Sequence, residues 1–138
     1  MEAGLPPRTK VIVIGAGFGG LGIGSELNEA DEKDFLILEE GPTIGGVWRD
    51  NTYPGCTCEV PSHLYSFSFS PYKSREKRFP PQQEIFSYLE EVAADEGLLR
   101  YFHLNTEVAQ AWFRQDKSDW EVVTASNDHI YAGVVILL

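Results

Sequence analysis

The chain has 138 residues, about the length of one domain. Apolar residues make up 43% of the sequence and charged residues 23%, proportions that exclude wholesale disorder, collagen and coiled coil. The formal net charge is -10, from 11 Lys and Arg and 21 Asp and Glu, and a field of that sign repels nucleic acid and anionic membrane surfaces. An anionic ligand must therefore be held by local geometry.

Cellular setting is predicted from what the sequence lacks. No stretch approaches the roughly 20 apolar residues of a membrane span, and the first residues show no signal peptide. Two cysteines, Cys56 and Cys58, are too few for a disulfide framework. We therefore expect a cytoplasmic protein with reduced thiols and no membrane partner.

The first 39 residues predict a strand, a glycine-rich turn, a helix and a second strand. Residues 1–9 are expected to be a flexible leader. The β-branched run at 10–14 is typical of a parallel strand buried on both faces. A helix follows from Gly17 or Phe18 to about residue 28, and an apolar run at 34–39 predicts the second strand. Together these elements form a βαβ unit.

Residues 40–81 show little periodicity and are rich in Gly, Pro, Tyr, Ser and Phe. An irregular segment of this length is usually disordered or functional, and its aromatic content argues against disorder. The alternative is a loop packed by its own aromatic residues. The chain then continues with an amphipathic helix over 82–96 and with strands at 103–113, 120–125 and 130–138, the last broken near Gly133.

Residues 15–20 read GAGFGG, a G-x-G-x-x-G motif. The motif alone is weak, but here it follows a buried strand and opens a helix. Gly15 allows the tight turn, Gly17 allows the backbone to approach a pyrophosphate, and Gly20 allows close packing of helix and sheet. The first N–H groups of the helix would hold the phosphates. The alternative is a strand–helix turn without a ligand.

An acidic residue ends the second predicted strand, where a ribose-binding carboxylate is expected. Glu39 lies 19 positions after Gly20, close to the spacing of about 20 in dinucleotide-binding domains. Glu40 is its rival, and we interpret it as a solvated acid. A carboxylate here disfavours a 2′-phosphate, so the site suits FAD or NAD rather than NADP.

The segment that follows Glu39 distinguishes an FAD site from an NAD site. It reads GGVWRDNTYPG at 45–55, CTCE at 56–59 and VPSHLYSF at 60–67. These stretches closely resemble the FAD-binding N-terminal part of the Baeyer–Villiger monooxygenases and the related flavin-containing monooxygenases, and the resemblance extends over 10–138. It implies a Rossmann-like α/β domain, a parallel sheet with a small antiparallel β-meander, that binds FAD. In that family NADPH reduces FAD, and a peroxyflavin then oxygenates a ketone or heteroatom.

The resemblance also implies roles for single residues. Trp48 and Asp50 would lie along the flavin, Tyr53 and Tyr65 would border its reactive face, and Val108 would bind the adenine through its backbone. Glu59, the candidate catalytic residue, falls where Baeyer–Villiger enzymes carry an Asp that supports an Arg from a later domain. The predicted cofactor-binding set is Gly15, Gly17, Phe18, Gly19, Gly20, Glu39, Gly46, Val47, Trp48, Asp50, Tyr53, Tyr65 and Val108.

Simpler interpretations of these residues remain open. Trp48 and Tyr65 could form a loop core, and Glu59 could be a surface acid. Cys56 and Cys58 lack the usual zinc spacing, so no metal site is predicted. His63 is expected to pack in the loop. We expect a solvated face from the basic run Lys73, Arg75, Lys77 and Arg78, and the alternative is a contact with the phosphate of a nicotinamide cofactor.

Members of the resembled family are several times longer than this chain. They carry a second glycine motif for NADPH and a His-bearing fingerprint, and this sequence contains neither. We therefore expect a single truncated FAD-binding domain over 10–138, without the NADPH domain and with little or no oxygenation of its own. The alternatives are a non-catalytic FAD-, NAD- or ADP-binding interaction module, and one subunit of a split flavoenzyme. An unpaired sheet edge further predicts self-association or a complementing chain.

Overall fold

One six-stranded sheet organises the fold in the computed structural model, which describes residues 4–61, 64–72 and 79–138. Its strand order is β3-β2-β1-β6-β5-β4. The first four of these strands run parallel, and β5 and β4 continue the sheet antiparallel. The strands are β1 (Arg8–Ile14), β2 (Phe35–Leu38), β3 (Phe102–His103), β4 (Val108–Arg114), β5 (Asp119–Thr124) and β6 (His129–Leu137). The predicted parallel sheet with an antiparallel meander is confirmed.

Three α-helices lie between the strands in the described parts of the chain. Helix α1 (Phe18–Glu29) joins β1 to β2, α2 (Val47–Asp50) lies in the long connection, and α3 (Gln82–Asp95) precedes a turn of 3-10 helix at Leu99–Tyr101. Helix α3 buries Ile85, Leu89 and Val92, spaced for one helical face. None of the helices within the described residues is long and apolar enough to cross a membrane.

Apolar side chains pack on both faces of the sheet around β1 and β2. Val13 and Ile37 lie in the cluster that contains Leu21 of α1 and Leu89 of α3. Their neighbours Ile12 and Leu36 point the opposite way, into a second cluster with Val122, Ile130 and Ala132. Because successive side chains alternate between faces, burial on both sides explains the uninterrupted apolar runs of β1 and β2.

Strand β1 begins two residues earlier than predicted, so residues 8–9 belong to the sheet and not to the leader. Thr9 is buried, and its hydroxyl donates a 2.9 Å hydrogen bond to Asp34. Arg8 forms a 2.9 Å ion pair with Asp119 on β5. Long-range partners therefore extend the strand into a polar stretch that carries no apolar signal.

The strand predicted at 103–113 is two strands in different parts of the sheet. Residues 104–107 separate β3 from β4 and contact the end of β2, where the Thr106 N–H donates to the carbonyl of Glu39 at 2.8 Å. Strand β6, predicted to break near Gly133, is continuous. A Cβ at Gly133 would lie 3.4 Å from the carbonyl oxygen of Lys10, so this glycine does not interrupt the pairing of β6 with β1.

Within 40–81 the described residues combine α2 with aromatic packing. The Phe67 ring lies 5.1 Å from that of Phe18, and the Phe67 N–H donates to the Tyr88 hydroxyl at 2.9 Å. Aromatic residues of the segment thus pack onto α1 and α3. The predictions for His63 and for Lys73, Arg75, Lys77 and Arg78 lie outside the described residues.

Candidate functional site

A cleft of about 530 Å³ opens at the carboxyl ends of β1 and β2. Ligands of open α/β sheets bind at this edge, and the volume is in the range of small-molecule sites. The walls come from four segments: the Gly15–Gly20 turn, the end of β2, the α2 region, and residues 106–108. Of the predicted set, the cleft brings together Gly15, Gly17, Phe18, Gly19, Gly20, Glu39, Gly46, Val47, Trp48, Asp50, Tyr65 and Val108.

The glycine turn has the geometry that its motif predicts. Gly15 has a φ of 109°, in a region that side chains disfavour, and a Cβ on Gly20 would overlap the carbonyl of Gly15. Gly17 is the N-cap of α1 and has no side chain to cap it. The first amides of α1 therefore face the cleft without a capping side chain and are available to an anion.

A second pair of glycines lies against this turn. Gly46, with a φ of 55°, approaches Gly17 so closely that a Cβ on Gly46 would lie 3.2 Å from the Gly17 Cα. The N–H of Gly45 donates to the carbonyl of Ala16 at 2.9 Å. Close backbone contact with the first motif thus favours glycine at position 46, whereas a Cβ on Gly45, which has a φ of 119°, would lie 2.8 Å from the ring of Phe86.

Glu39 is the carboxylate that faces the turn. Its side chain is 5% exposed, and its Oε2 accepts a 2.8 Å hydrogen bond from the N–H of Ala16. Its Oε1 accepts from the N–H of Gly41 at 2.8 Å and from Nη1 of Arg49 at 2.9 Å. Glu40 is exposed at the rim of the same cleft. The geometry therefore favours Glu39 over Glu40 as the buried acceptor.

Arg49 is a residue of the cleft that sequence reasoning missed. Besides Glu39, its guanidinium bonds the Thr43 carbonyl at 2.6 Å and both oxygens of Asp50 at 2.7 and 3.0 Å. The hydrogen bond with Asp50 raises the pKa of Arg49 and lowers the pKa of Asp50. The only local signal was a basic residue beside Asp50, because the contact with Glu39 depends on tertiary structure.

Aromatic side chains form one wall. Trp48 Nε1 donates to the hydroxyl of Tyr65 at 3.0 Å, and their rings meet edge to face at 5.7 Å. The Phe18 ring also meets Tyr65 edge to face, with 4.8 Å between the ring centroids. All three also pack against the main core cluster. The two interpretations of Trp48 and Tyr65, cleft wall and loop core, are therefore both consistent with their positions.

Two predicted residues are not brought to the cleft. Tyr53 is 62% exposed, and a hydrogen bond with the Cys56 thiol raises its pKa. Glu59 is also exposed, and neither residue lines the cleft. Their cofactor and catalytic roles stay predictions. Within the described ranges, no cluster of three or more His, Cys, Asp or Glu could hold a metal ion.

These features define a class of protein: a Rossmann-like domain with a glycine turn, a helix start and an acid around one cleft. A family described as NAD(P)-binding Rossmann-like domain matches residues 13–79. The chain is 45% identical over 129 residues to a Baeyer–Villiger monooxygenase of Streptomyces coelicolor, covering 94% of this chain and 25% of that protein. A Baeyer–Villiger monooxygenase of Pseudomonas aeruginosa is 41% identical, covering 92% of this chain and 24% of its own length.

Solved structures of monooxygenases are also similar to this chain. Cyclohexanone monooxygenase from Rhodococcus sp. Phi1, bound to NADP+, superimposes with a TM-score of 0.90 at 33% identity, over 96% of this chain and 26% of that one. A steroid monooxygenase bound to NADP gives 0.88 at 32% identity, over 94% and 26%. The chain thus spans about a quarter of the length of these relatives. Over nearly its whole length the chain is similar to one segment of the Baeyer–Villiger monooxygenases, and the resemblance found in its motifs is confirmed.

Proposed function

We propose that this chain is the FAD-binding portion of a flavin-dependent, NADPH-using monooxygenase that oxygenates ketones or heteroatoms. One observation carries the proposal: the uncapped start of α1 and the buried Glu39 carboxylate border the same cleft and are joined by the 2.8 Å bond from Ala16. An acidic chain can therefore hold a diphosphate on neutral amides while a carboxylate accepts from a ribose.

The residues that line the cleft support binding of FAD there. The amides following Gly17 would bind the diphosphate, Glu39 a ribose hydroxyl, and Val108 the adenine. Trp48 and Tyr65 would contact the flavin, since aromatic rings suit a flat, partly polar ring system. The flavin supplies the redox chemistry when bound, and these side chains bind it, orient it and limit the access of water.

We assign NADPH binding and substrate binding to parts of the monooxygenase architecture that this segment does not match. The relatives are about four times as long as the match, so residues that bind NADPH and shape the substrate pocket belong to other parts of the architecture. We therefore expect 10–138 to act as a single FAD-binding domain, with 40–81 contacting the flavin, that is incomplete as a catalyst. Both thiols, Cys56 and Cys58, are free and buried, which supports a cytoplasmic setting.

Titration with FAD tests this function. We expect isothermal titration calorimetry to detect binding by the full chain, and Glu39→Gln to raise Kd about tenfold, the size of a lost bond to a charged acceptor. Glu40→Gln should not weaken binding, because Glu40 is exposed and its removal reduces negative charge near the diphosphate. Glu29→Gln, at the distal end of α1, is the control. Absence of FAD binding by the folded parent chain would contradict the proposal.

A further inference from the structure

The guanidinium of Arg49 is the only cation among the described residues that line the cleft. Its side chain is 14% exposed. Nη1 donates to Glu39 and to the Thr43 carbonyl, while Nε and Nη2 donate to the two oxygens of Asp50. Since the donors of arginine lie in one rigid plane, these partners fix the orientation of the group.

Glu39 has almost exhausted its capacity to accept hydrogen bonds. A carboxylate offers about four lone-pair sites, two on each oxygen. Oε1 uses both of its sites, for the Gly41 N–H and for Arg49, and Oε2 uses one for the Ala16 N–H. No other group in the described parts of the chain donates to Glu39. One acceptor position on Oε2 therefore remains, on a side chain that lines the cleft.

We propose that Arg49 is a positioning residue that occupies Oε1 of Glu39 and so aims the single remaining acceptor of Oε2 at one ribose hydroxyl of the bound nucleotide. The inference rests on the proposed function and identifies how the same site recognises the ribose. Without Arg49, Oε1 loses a charged donor and the buried carboxylate loses its counter-charge. The carboxylate then turns toward water, and the ribose loses its acceptor.

The contact between Arg49 and Gly41 supports a fixed guanidinium. A Cβ on Gly41 would overlap Nη1 of Arg49, so the arginine lies directly on the backbone that follows Glu39. The same segment supplies the Thr43 carbonyl. Lysine cannot reproduce this arrangement, because its single ammonium group lacks the planar fork.

The test compares ADP with 2′,3′-dideoxy-ADP as calorimetric probes of the full-length chain. We expect the parent to prefer ADP about tenfold, the size of one bond to a charged acceptor. Arg49→Met and Glu39→Gln should each abolish the preference, and the double variant should lose nothing more. Arg49→Lys should recover it only in part. Arg100→Met, outside the cleft, should keep it in full.

Each outcome decides a different point. A folded Arg49→Met chain, verified by circular dichroism, that still prefers ADP tenfold overturns the inference, as does full recovery in Arg49→Lys. A purely structural role would lower the melting temperature and leave the preference unchanged. If Arg49→Met does not fold, Arg49→Lys decides alone. A parent that binds FAD but shows no preference also refutes the inference, whereas a parent that binds neither FAD nor ADP refutes the proposed function.

Discussion

The Cα of Gly17 lies 3.2 Å from the position that a Cβ on Gly46 would occupy. Two glycine motifs far apart in sequence therefore meet backbone to backbone, and the contact ties α2 to the start of α1. Because Gly46 also has a φ of 55°, a side chain there combines conformational strain with a close contact.

Comparing Gly46→Ala with Gly55→Ala distinguishes the cost of the strained conformation from the cost of the close contact. Gly55 has a φ of 82°, and a Cβ there would meet nothing within 4 Å, so its variant carries only the conformational cost. We expect about 1 kcal/mol of destabilisation for Gly55→Ala and about 2 to 3 kcal/mol for Gly46→Ala. Urea unfolding measures both. Equal losses would show that the contact with Gly17 is not important.

Acid stability should depend on Asp119. Hydrogen bonds from Arg114 and from Arg8 lower its pKa to about 2, below the ordinary value of 3.8. A lowered pKa in the folded state stabilises the protein above the unfolded-state pKa, and this contribution is lost as the pH falls toward 2. Asp119→Asn should therefore be less stable than the parent at pH 7, and the difference should shrink between pH 4 and pH 2.

Urea midpoints across this pH range measure the effect. Asp116→Asn, in the turn before β5, is the matched control, and it should show no such convergence. If the parent and Asp119→Asn differ by the same amount at pH 2.5 and at pH 7, the ion pairs with Arg8 and Arg114 do not control the titration.

The edge strand β4 should promote self-association. It is an edge of the sheet, and Trp112 and Phe113 on it are 41% and 46% exposed. Unpaired edge strands with apolar side chains tend to pair with strands of other molecules, and a lysine on the edge strand disfavours this pairing. We expect the parent chain to elute above its monomer mass of 15.4 kDa in size-exclusion chromatography and Trp112→Lys to shift it toward the monomer. A parent that elutes as a monomer at all concentrations would contradict this.

Oxygenation should be negligible for this chain by itself. With FAD and NADPH added, we expect no ketone-dependent NADPH oxidation above the rate of free flavin. The reason is that the relatives are about four times longer than the matched segment, and the proposed NADPH and substrate sites lie in their other parts. Ketone-dependent turnover by the purified chain would refute the proposed division of roles.

Much of the sheet could be predicted because its signals are local. The β-branched run around Ile12 and Val13 reflects burial on both faces, and the spacing of Glu39 from Gly20 reflects the length of one helix and one strand. The ends of elements were less predictable. Arg8 joins β1 through Asp119, a partner 111 positions away, and no nearby residue indicates this.

The residues of the cleft, too, were only partly predictable from the sequence. Its glycines and its acid are recognisable because each has a fixed place in the βαβ unit. Arg49 was not recognisable, because its partner Glu39 is brought to it by the turn at 41–46. The segment 104–107 splits the predicted third strand, and its last two residues line the cleft. It is likewise held by hydrogen bonds to Glu39 and Gly41 that depend on the assembled sheet.

Both backbone groups of Ala16 are already engaged, the N–H by Glu39 and the carbonyl by Gly45. The floor of the cleft is therefore assembled from three distant stretches of chain before any nucleotide arrives. A ligand that binds to such a preorganised site has to order little of the protein. Less of its favourable interaction energy is therefore offset by lost conformational entropy of the chain.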